Sequence, residues 1–260
     1  MAIILNRKIV ARSTAGFTLV EVGVVIAMMG ILSAIMLPAL STAKERTRRA
    51  VCRNNLRQVY QALEMYADAD EQFLPSSVDD KGYYHSLILS DETFSNLVDL
   101  ASGCSNILYC PNISFGTPPT PVAQHIQNIG YVIGYSYVAE SAATVVDSSK
   151  GPDYSMMPVK MPNNGTTTNE LLADANYWTP AGASSTYFPA QMKVVPHTAA
   201  GAITAHNSSF TVGVPGNSVA SVGAVGGNVS FADGHVQWRS LPQMQTNSAS
   251  SIPNDAFGIW

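Results

Sequence analysis

The chain has 260 residues, 46% of them hydrophobic and only 12% charged, enough to bury a core in one large or two small domains. Its formal charge of −4 is unevenly placed, since from position 58 onward five basic residues stand against sixteen acidic ones. An acidic globular part argues against a nucleic-acid partner, because neutralising phosphates needs a basic face.

The first predicted element is a membrane-crossing helix. Residues 1–16 carry Arg7, Lys8 and Arg12 with no acid, and residues 17–37 (FTLVEVGVVIAMMGILSAIML) hold twenty uncharged residues and one Glu. About 20 apolar residues at ~1.5 Å each cross the hydrocarbon core. The run is longer than the apolar region of a secretory signal, and Pro38 with a helical pattern follows it where a cleavage site would stand. Glu21 breaks the pattern. A carboxylate in such a segment is costly in a bilayer and marks a function with a partner. Phe17 and Glu21 stand four apart, on one helix face.

From Ala39 to about Asp70 the composition predicts an unbroken helix without Gly or Pro. Its first half is polar nearly all round. In its second half Leu56, Val59, Tyr60, Leu63, Met65 and Tyr66 recur at three- and four-residue spacing and predict a buried face. Pro75 and the preceding acids mark the stop. The Asp68-x-Asp70 pair does not read as a calcium loop, because the sixth position from Asp68 is Phe73 where such loops need Gly.

Beyond Pro75 the predicted strands are Ile107–Cys110, Gly130–Ala139, Glu170–Ala175 and Gln191–Val195, with turn-rich stretches at 114–121 and 160–169. Residues 228–240 predict a hairpin about a two-residue type I′ turn at Asp233-Gly234. That register pairs Phe231 with Val236 and Val229 with Trp238 on one face, leaving Ser230 and Gln237 on the other. No second apolar run approaches 18 residues. Residues 76–260 with the amphipathic part of the helix are therefore expected to form a soluble head.

Catalytic signatures are missing from this sequence. There is no His-Glu-x-x-His, P-loop, dinucleotide fingerprint or Gly-x-Ser-x-Gly elbow, and no enzyme activity or cofactor is expected. His85, His125, His197, His206 and His235 are scattered singly without metal-ligand spacing, so no metal site is expected either. Of Cys52, Cys104 and Cys110, one must stay unpaired in any disulfide scheme. A local Cys104–Cys110 bond, a Cys52–Cys110 bond and three free thiols all remain open, a disulfide being permitted outside the inner membrane.

The segment Arg12-Ser-Thr-Ala-Gly16-Phe17-Thr-Leu-Val-Glu21 resembles the leader and mature start of type IV prepilins and of the pseudopilins of type II secretion. The resemblance implies cleavage between Gly16 and Phe17 by a prepilin peptidase/methyltransferase, which also methylates the Phe17 amine. Glu21 and Pro38 then take the places usual for that family's assembly residues, with Glu21 neutralising the Phe17 amine of a neighbouring subunit. The implied fold is α+β and pilin-like, a long N-terminal helix packed on an antiparallel sheet. Its parts are a leader over 1–16, a membrane helix over 17–38, an amphipathic spine over 39–75 and a β-rich head over 76–260. The implied function is that of a pilin, major or minor, or pseudopilin subunit of a type IV pilus or a type II secretion filament. The implied partners are other pilins or pseudopilins and an inner-membrane assembly platform. The implied location is a single pass through the inner membrane with the head in the periplasm, then the filament. The flanking charges, +3 before the run and +5 over 44–57, would by themselves put the head inside, but the leader motif outweighs them.

A second set of motifs, Val51-Cys52-x-Asn54-Asn55-Leu-Arg57-Gln58, Met65-Tyr-Ala-Asp68, Tyr109-Cys110-Pro111 and Gly227-Asn-Val-Ser-Phe-Ala-Asp-Gly-His-Val236, resembles one pilin-like family common in planctomycete-type bacteria. That resemblance favours a Cys52–Cys110 disulfide. The family's C-terminal signature also has a His ten residues before the Asp of Asp-Gly. Here that position is Gly223, and the nearest upstream His is His206; residues 207–225 read as an inserted loop, and the His carries no assigned role. A different class of function is a membrane-tethered module that captures polysaccharide or surface material through exposed aromatics such as Tyr83, Tyr84, Tyr177 and Trp178.

Overall fold

The computed structural model describes residues 16, 18–76, 78–81, 84–113, 124–138, 160–161, 170–178, 193–198, 201–203, 224–248 and 257–259. Helix α1, Leu19–Ala69, has Pro38 inside it. The chain divides into two compact units, residues 1–44 and residues 45–260.

In the first unit the α1 side chains from Leu19 to Leu40 are exposed, with Ile26, Ile31, Leu32, Ile35 and Leu37 each more than 60% accessible. The helix over this stretch is long and apolar enough to cross a membrane. Pro38 has no N–H to continue the ladder, while its own carbonyl accepts from Ser41 Oγ and Thr42 Oγ1 at 2.9 and 3.1 Å.

In the second unit α1 buries Cys52, Leu56, Val59, Ala62, Leu63 and Ala67, steps of three and four that make one stripe. Three of the residues expected on that face behave differently. Tyr60 and Tyr66 are only half-buried, and Met65 is 52% exposed; the stripe runs instead through Ala62 and Cys52. The helix ends where Glu71 and Gln72 take left-handed φ of 47° and 70°. Gln72 N–H reaches back to the Ala67 carbonyl at 2.7 Å, so the local backbone stops the helix before Pro75 is reached.

The β-structure is antiparallel. Strands β1 (Ile88–Leu89), β2 (Gln124–Ile126) and β3 (Gly130–Val132) form a sheet in the order β1-β3-β2. Strands β4 (Tyr135–Tyr137), β5 (Glu170–Asp174), β9 (Gly226–Phe231) and β10 (Val236–Ser240) form another in the order β10-β9-β5-β4. A third contains β6 (Tyr177–Trp178), β7 (Lys193–Thr198), β8 (Gly201–Ile203), β11 (Thr246–Ser248) and β12 (Phe257–Ile259), ordered β11-β12-β6-β7-β8. The α+β class expected from the sequence holds.

In the four-stranded sheet β4, β5 and β9 are buried on both faces, while β10 is partly exposed beyond Val236. One apolar cluster joins the α1 stripe to Tyr135, Tyr137, Leu172 and Val236, and a second gathers Val138, Ala173, Val195, Val229, Phe231 and Met244. A short helix α2, Asp91–Leu100, capped by the Ser90 hydroxyl, adds Phe94 and Leu97 to the first cluster.

Three sequence expectations are corrected. Ile107–Cys110 is no strand; Ser105–Leu108 is a 3-10 turn that still buries Ile107 and Leu108, since a short apolar run cannot distinguish the two by periodicity. The predicted strand Gly130–Ala139 is two strands in two sheets, parted at Ile133-Gly134. There the chain passes so close to the preceding loop that a Cβ on Gly134 would lie 2.5 Å from the Cys110 nitrogen.

The hairpin register is the third correction. Val236 pairs with Ser230, Gln237 with Val229 and Trp238 with Asn228. Gly234 N–H bonds the Phe231 carbonyl at 2.9 Å and Phe231 N–H bonds the His235 carbonyl at 3.0 Å. The loop is thus Ala232-Asp233-Gly234, a type I turn closed by Gly234 at φ 81°. One extra loop residue shifts the register by one and exchanges faces: Val229 and Phe231 enter the second cluster while Val236 enters the first. Both faces of β9 are buried, Ser230 included.

Candidate functional site

Two places carry the residues that the sequence singled out. The first is the start of α1. Thr18 precedes the helix, and its N–H and hydroxyl both donate to Glu21 Oε2 at 2.8 and 2.7 Å, while Glu21 N–H donates to Thr18 Oγ1 at 3.2 Å. This is a reciprocal capping box, Thr-x-x-Glu. The Thr18-x-x-Glu21 spacing is itself the sequence signature of such a cap. Glu21 therefore has a local task within its own chain as well as any task between chains. Phe17 and residues 1–15 lie outside the described residues.

The second place is a buried polar cluster in residues 45–260. Cys52 comes from α1, Cys110 from the loop after the 3-10 turn, Asp174 from the end of β5 and His197 from β7; their donor atoms all lie within 4.8 Å of one another. None of the four is accessible to solvent. The two sulfurs face each other at 2.7 Å, so the cysteine pair that the resemblance favoured is brought together, while Cys104 is exposed. Each position is braced locally. Asn55 Nδ2 donates to the Tyr109 carbonyl at 2.9 Å and holds the Cys110 loop on the helix. Asp174 Oδ2 accepts from Asn228 N–H at 2.6 Å and from Asn228 Nδ2 at 2.9 Å. The Gly226-Gly227 pair has a packing reason here, since a Cβ on Gly227 would come within 2.8 Å of Asn176 Nδ2 and 3.2 Å of Asp174 Cβ.

His197 is gripped from one side. Its Nδ1 lies 2.8 Å from Glu45 Oε1 and 3.1 Å from Asn112 Nδ2. Glu45 is itself held by Arg49 Nε at 2.9 Å and Asn112 Nδ2 at 3.0 Å. The Trp238 indole packs edge-on to the imidazole and carries the Arg49 guanidinium over its face. On the other side, His197 Nε2 is 3.2 Å from Asp174 Oδ2 but without hydrogen-bond geometry, and Asp174 Oδ1 also lacks a partner.

The charges follow from these neighbours. Burial opposes the His197 cation, but Asp174 and Cys52 beside it outweigh burial and raise its pKa to about 10. Burial pushes the Cys52 thiol up, helped by its contact with Cys110 and the charge of Asp174. Burial would raise Glu45, yet the bonds from Arg49, His197 and Asn112 hold it below the ordinary carboxylate range.

Spacing rules missed this cluster because its members sit at positions 52, 110, 174 and 197. The available signal was different: a lone Asp closing the apolar run Leu171-Leu172-Ala173, and a lone His after Val194-Val195-Pro196. Of the other histidines, His85 is fully buried against Tyr177, His125 faces Asp91, His235 stands beside Asp233 at the hairpin loop, and His206 lies outside the described residues. The aromatic capture surface is not supported. Tyr84 and Tyr177 are buried in the core, at 2% and 0% exposure, while Tyr83 and the Trp178 side chain lie outside the described part.

The motifs quoted from the sequence meet in space along α1. Besides Cys52 and Asn55, Arg53 Nε donates to the Val236 carbonyl at 3.2 Å, and Tyr60 Oη donates to the Ala232 carbonyl at 3.0 Å. A Cβ on Gly234 would lie 2.7 Å from the Tyr60 ring. The Asp-Gly loop is thus a docking piece for the helix.

A long apolar-then-buried N-terminal helix with antiparallel sheets is an α+β, pilin-like fold. Comparison with known proteins agrees. The chain is 29% identical over 123 residues to the type IV major pilin protein PilA of Myxococcus xanthus, covering 41% of this chain and 56% of that protein. It is 33% identical over 55 residues to the type II secretion system core protein G of Pseudomonas aeruginosa, covering 21% of this chain and 39% of that protein. These distant relatives are pilin and pseudopilin subunits, and the chain spans about half or less of their length. No family model matches the chain, and no solved structure matches it.

Proposed function

We propose that this protein is a prepilin-type filament subunit. It enters the inner membrane by its first helix, is cut between Gly16 and Phe17, is methylated on the Phe17 amine and assembles with other pilins or pseudopilins. The observation that carries the reading is the start of α1. Gly16-Phe17-Thr18-Leu19-Val20-Glu21 leads into an apolar helix whose side chains find no cover in their own unit, and an uncovered apolar helix needs lipid or other copies around it. The head then faces the periplasm, the peptidase/methyltransferase and an assembly platform are the processing partners, and Glu21 and Pro38 are assembly residues. The distant relatives support the pilin and pseudopilin reading.

Mass spectrometry of the membrane-extracted protein from a peptidase-competent host tests it. The expected mature chain starts at a methylated Phe17. A chain still starting at Met1 in that host rejects the proposal.

A further inference from the structure

We propose that Cys52, Cys110, Asp174 and His197 form a four-ligand site for a zinc-class divalent metal ion. The donor set is two sulfurs, one imidazole nitrogen and one carboxylate oxygen, brought within 4.8 Å from four separate elements. Thiolate and imidazole together favour zinc over magnesium or calcium, which take oxygen ligands. All four residues are inaccessible, so no coordination position is left open to solvent. That is the character of a structural metal site rather than a catalytic one.

The supporting atoms are arranged as a metal site needs. A ligating histidine ordinarily gives its second ring N–H to a carboxylate, which fixes the tautomer and frees the other nitrogen for the metal. Here Nδ1 faces Glu45 Oε1 at 2.8 Å, and Nε2 is the nitrogen turned toward Asp174 without hydrogen-bond geometry. Asp174 is divided in the same way: Oδ2 accepts two bonds from Asn228, while Oδ1 is buried with no partner. A buried carboxylate oxygen left without a partner is costly; a bound cation would satisfy Asp174 Oδ1 and replace the Nε2–Asp174 ion pair. Metal–sulfur bonds of about 2.3 Å in a tetrahedron place two sulfurs about 3.8 Å apart. The cysteines therefore separate by about 1 Å from their present 2.7 Å on binding. The bound ion joins α1, the Cys110 loop, β5 and β7, and so ties the helix to two sheets. Binding releases the thiol protons and the proton on Nε2.

A Cys52–Cys110 disulfide consumes the same two sulfurs, and a proton shared between His197 and Asp174 would close the network without metal. These are the competing outcomes. The test uses the full chain, carried in detergent with an affinity tag free of His and Cys, with metal content measured by plasma mass spectrometry. Thiols are titrated in native detergent solution with and without chelator and counted in denaturant, and the zinc-depleted chain is titrated with Co²⁺ alone. One metal per chain is expected, with two thiols reactive only after chelation and a thiolate-to-cobalt charge-transfer band beside tetrahedral d–d bands. Cys110→Ser and Asp174→Asn should each lower cobalt affinity at least about tenfold, while Cys104→Ser binds like the wild type. Should a variant fail to fold, the wild-type cobalt spectrum decides alone. A metal-free chain with a disulfide, a metal-free chain with three free thiols, or metal retained equally in all variants overturns the proposal.

Discussion

The two parts of α1 show what an apolar residue can and cannot mean. Before Lys44, Leu32 and Ile35 are 62% and 68% exposed; after Glu45, Leu56 and Leu63 are 0% exposed. The residue types are the same and both stretches are helical. In residues 45–260 the covering surfaces belong to the same chain, so the stripe is narrow and the opposite face is polar. In residues 1–44 the apolar side chains run round the whole helix, as they must when the surroundings are lipid or other copies. Burial therefore separates the α1 residues that pack residues 45–260 from the apolar residues that their own unit leaves uncovered.

Breaking the first part should remove assembly without touching the fold. Glu21→Ala is expected to reduce filament recovery in the sheared-cell fraction by about a hundredfold or more, as removal of one partner of a buried ion pair does, with membrane insertion unchanged. Thr18→Ala removes the capping hydroxyl and keeps the carboxylate. Its filaments should persist, which separates the local task of Glu21 from the intermolecular one. Equal filament recovery from Glu21→Ala and wild type would reduce the segment to an anchor.

The second part should answer to core packing. Leu63→Ala creates a cavity among fully buried neighbours and is expected to cost ~2–5 kcal/mol. Met65→Ala, two residues on and half exposed, should stay within about 0.5 kcal/mol of wild type. Urea unfolding of the detergent-held chain, followed by near-UV circular dichroism, measures both. Similar losses for the two would mean that the buried stripe has been misplaced.

A smaller effect within residues 45–260 depends on pH. His85 is completely buried; Nδ1 accepts from Leu87 N–H at 3.3 Å, and Nε2 lies 2.9 Å from the Tyr177 hydroxyl. Burial lowers its pKa to about 3. The unfolded chain therefore binds a proton near pH 6.5 that the folded chain refuses, and the stability His85 permits above pH 6.5 is lost as pH falls from there toward 3. At pH 5 the loss is about 2 kcal/mol. His197 is shifted the other way, so its contribution grows by about 1 kcal/mol as pH falls from 7 to 5 and partly opposes the decline. Glu45, lowered from 4.5, acts mainly below it. His85→Gln should flatten the decline in stability between pH 7 and 5, and an undiminished decline would assign it to another group.

By itself the sequence determined the plan. Unbroken apolar character announced a membrane-length helix, three- and four-residue spacing placed the buried stripe from Leu56 to Leu63, and the Gly16–Glu21 motif pointed to a filament subunit. These are local patterns, read within a few turns of chain. Only the tertiary structure decided what depends on contacts between distant residues. The Asp233-Gly234 loop takes three residues rather than two because Gly234 closes a type I turn against the Tyr60 ring, and this one residue exchanges the faces of the hairpin. The polar cluster lay furthest from sequence reasoning. No spacing rule joins positions 52, 110, 174 and 197; they meet because a helix, a loop and strands of two different sheets converge on one buried point.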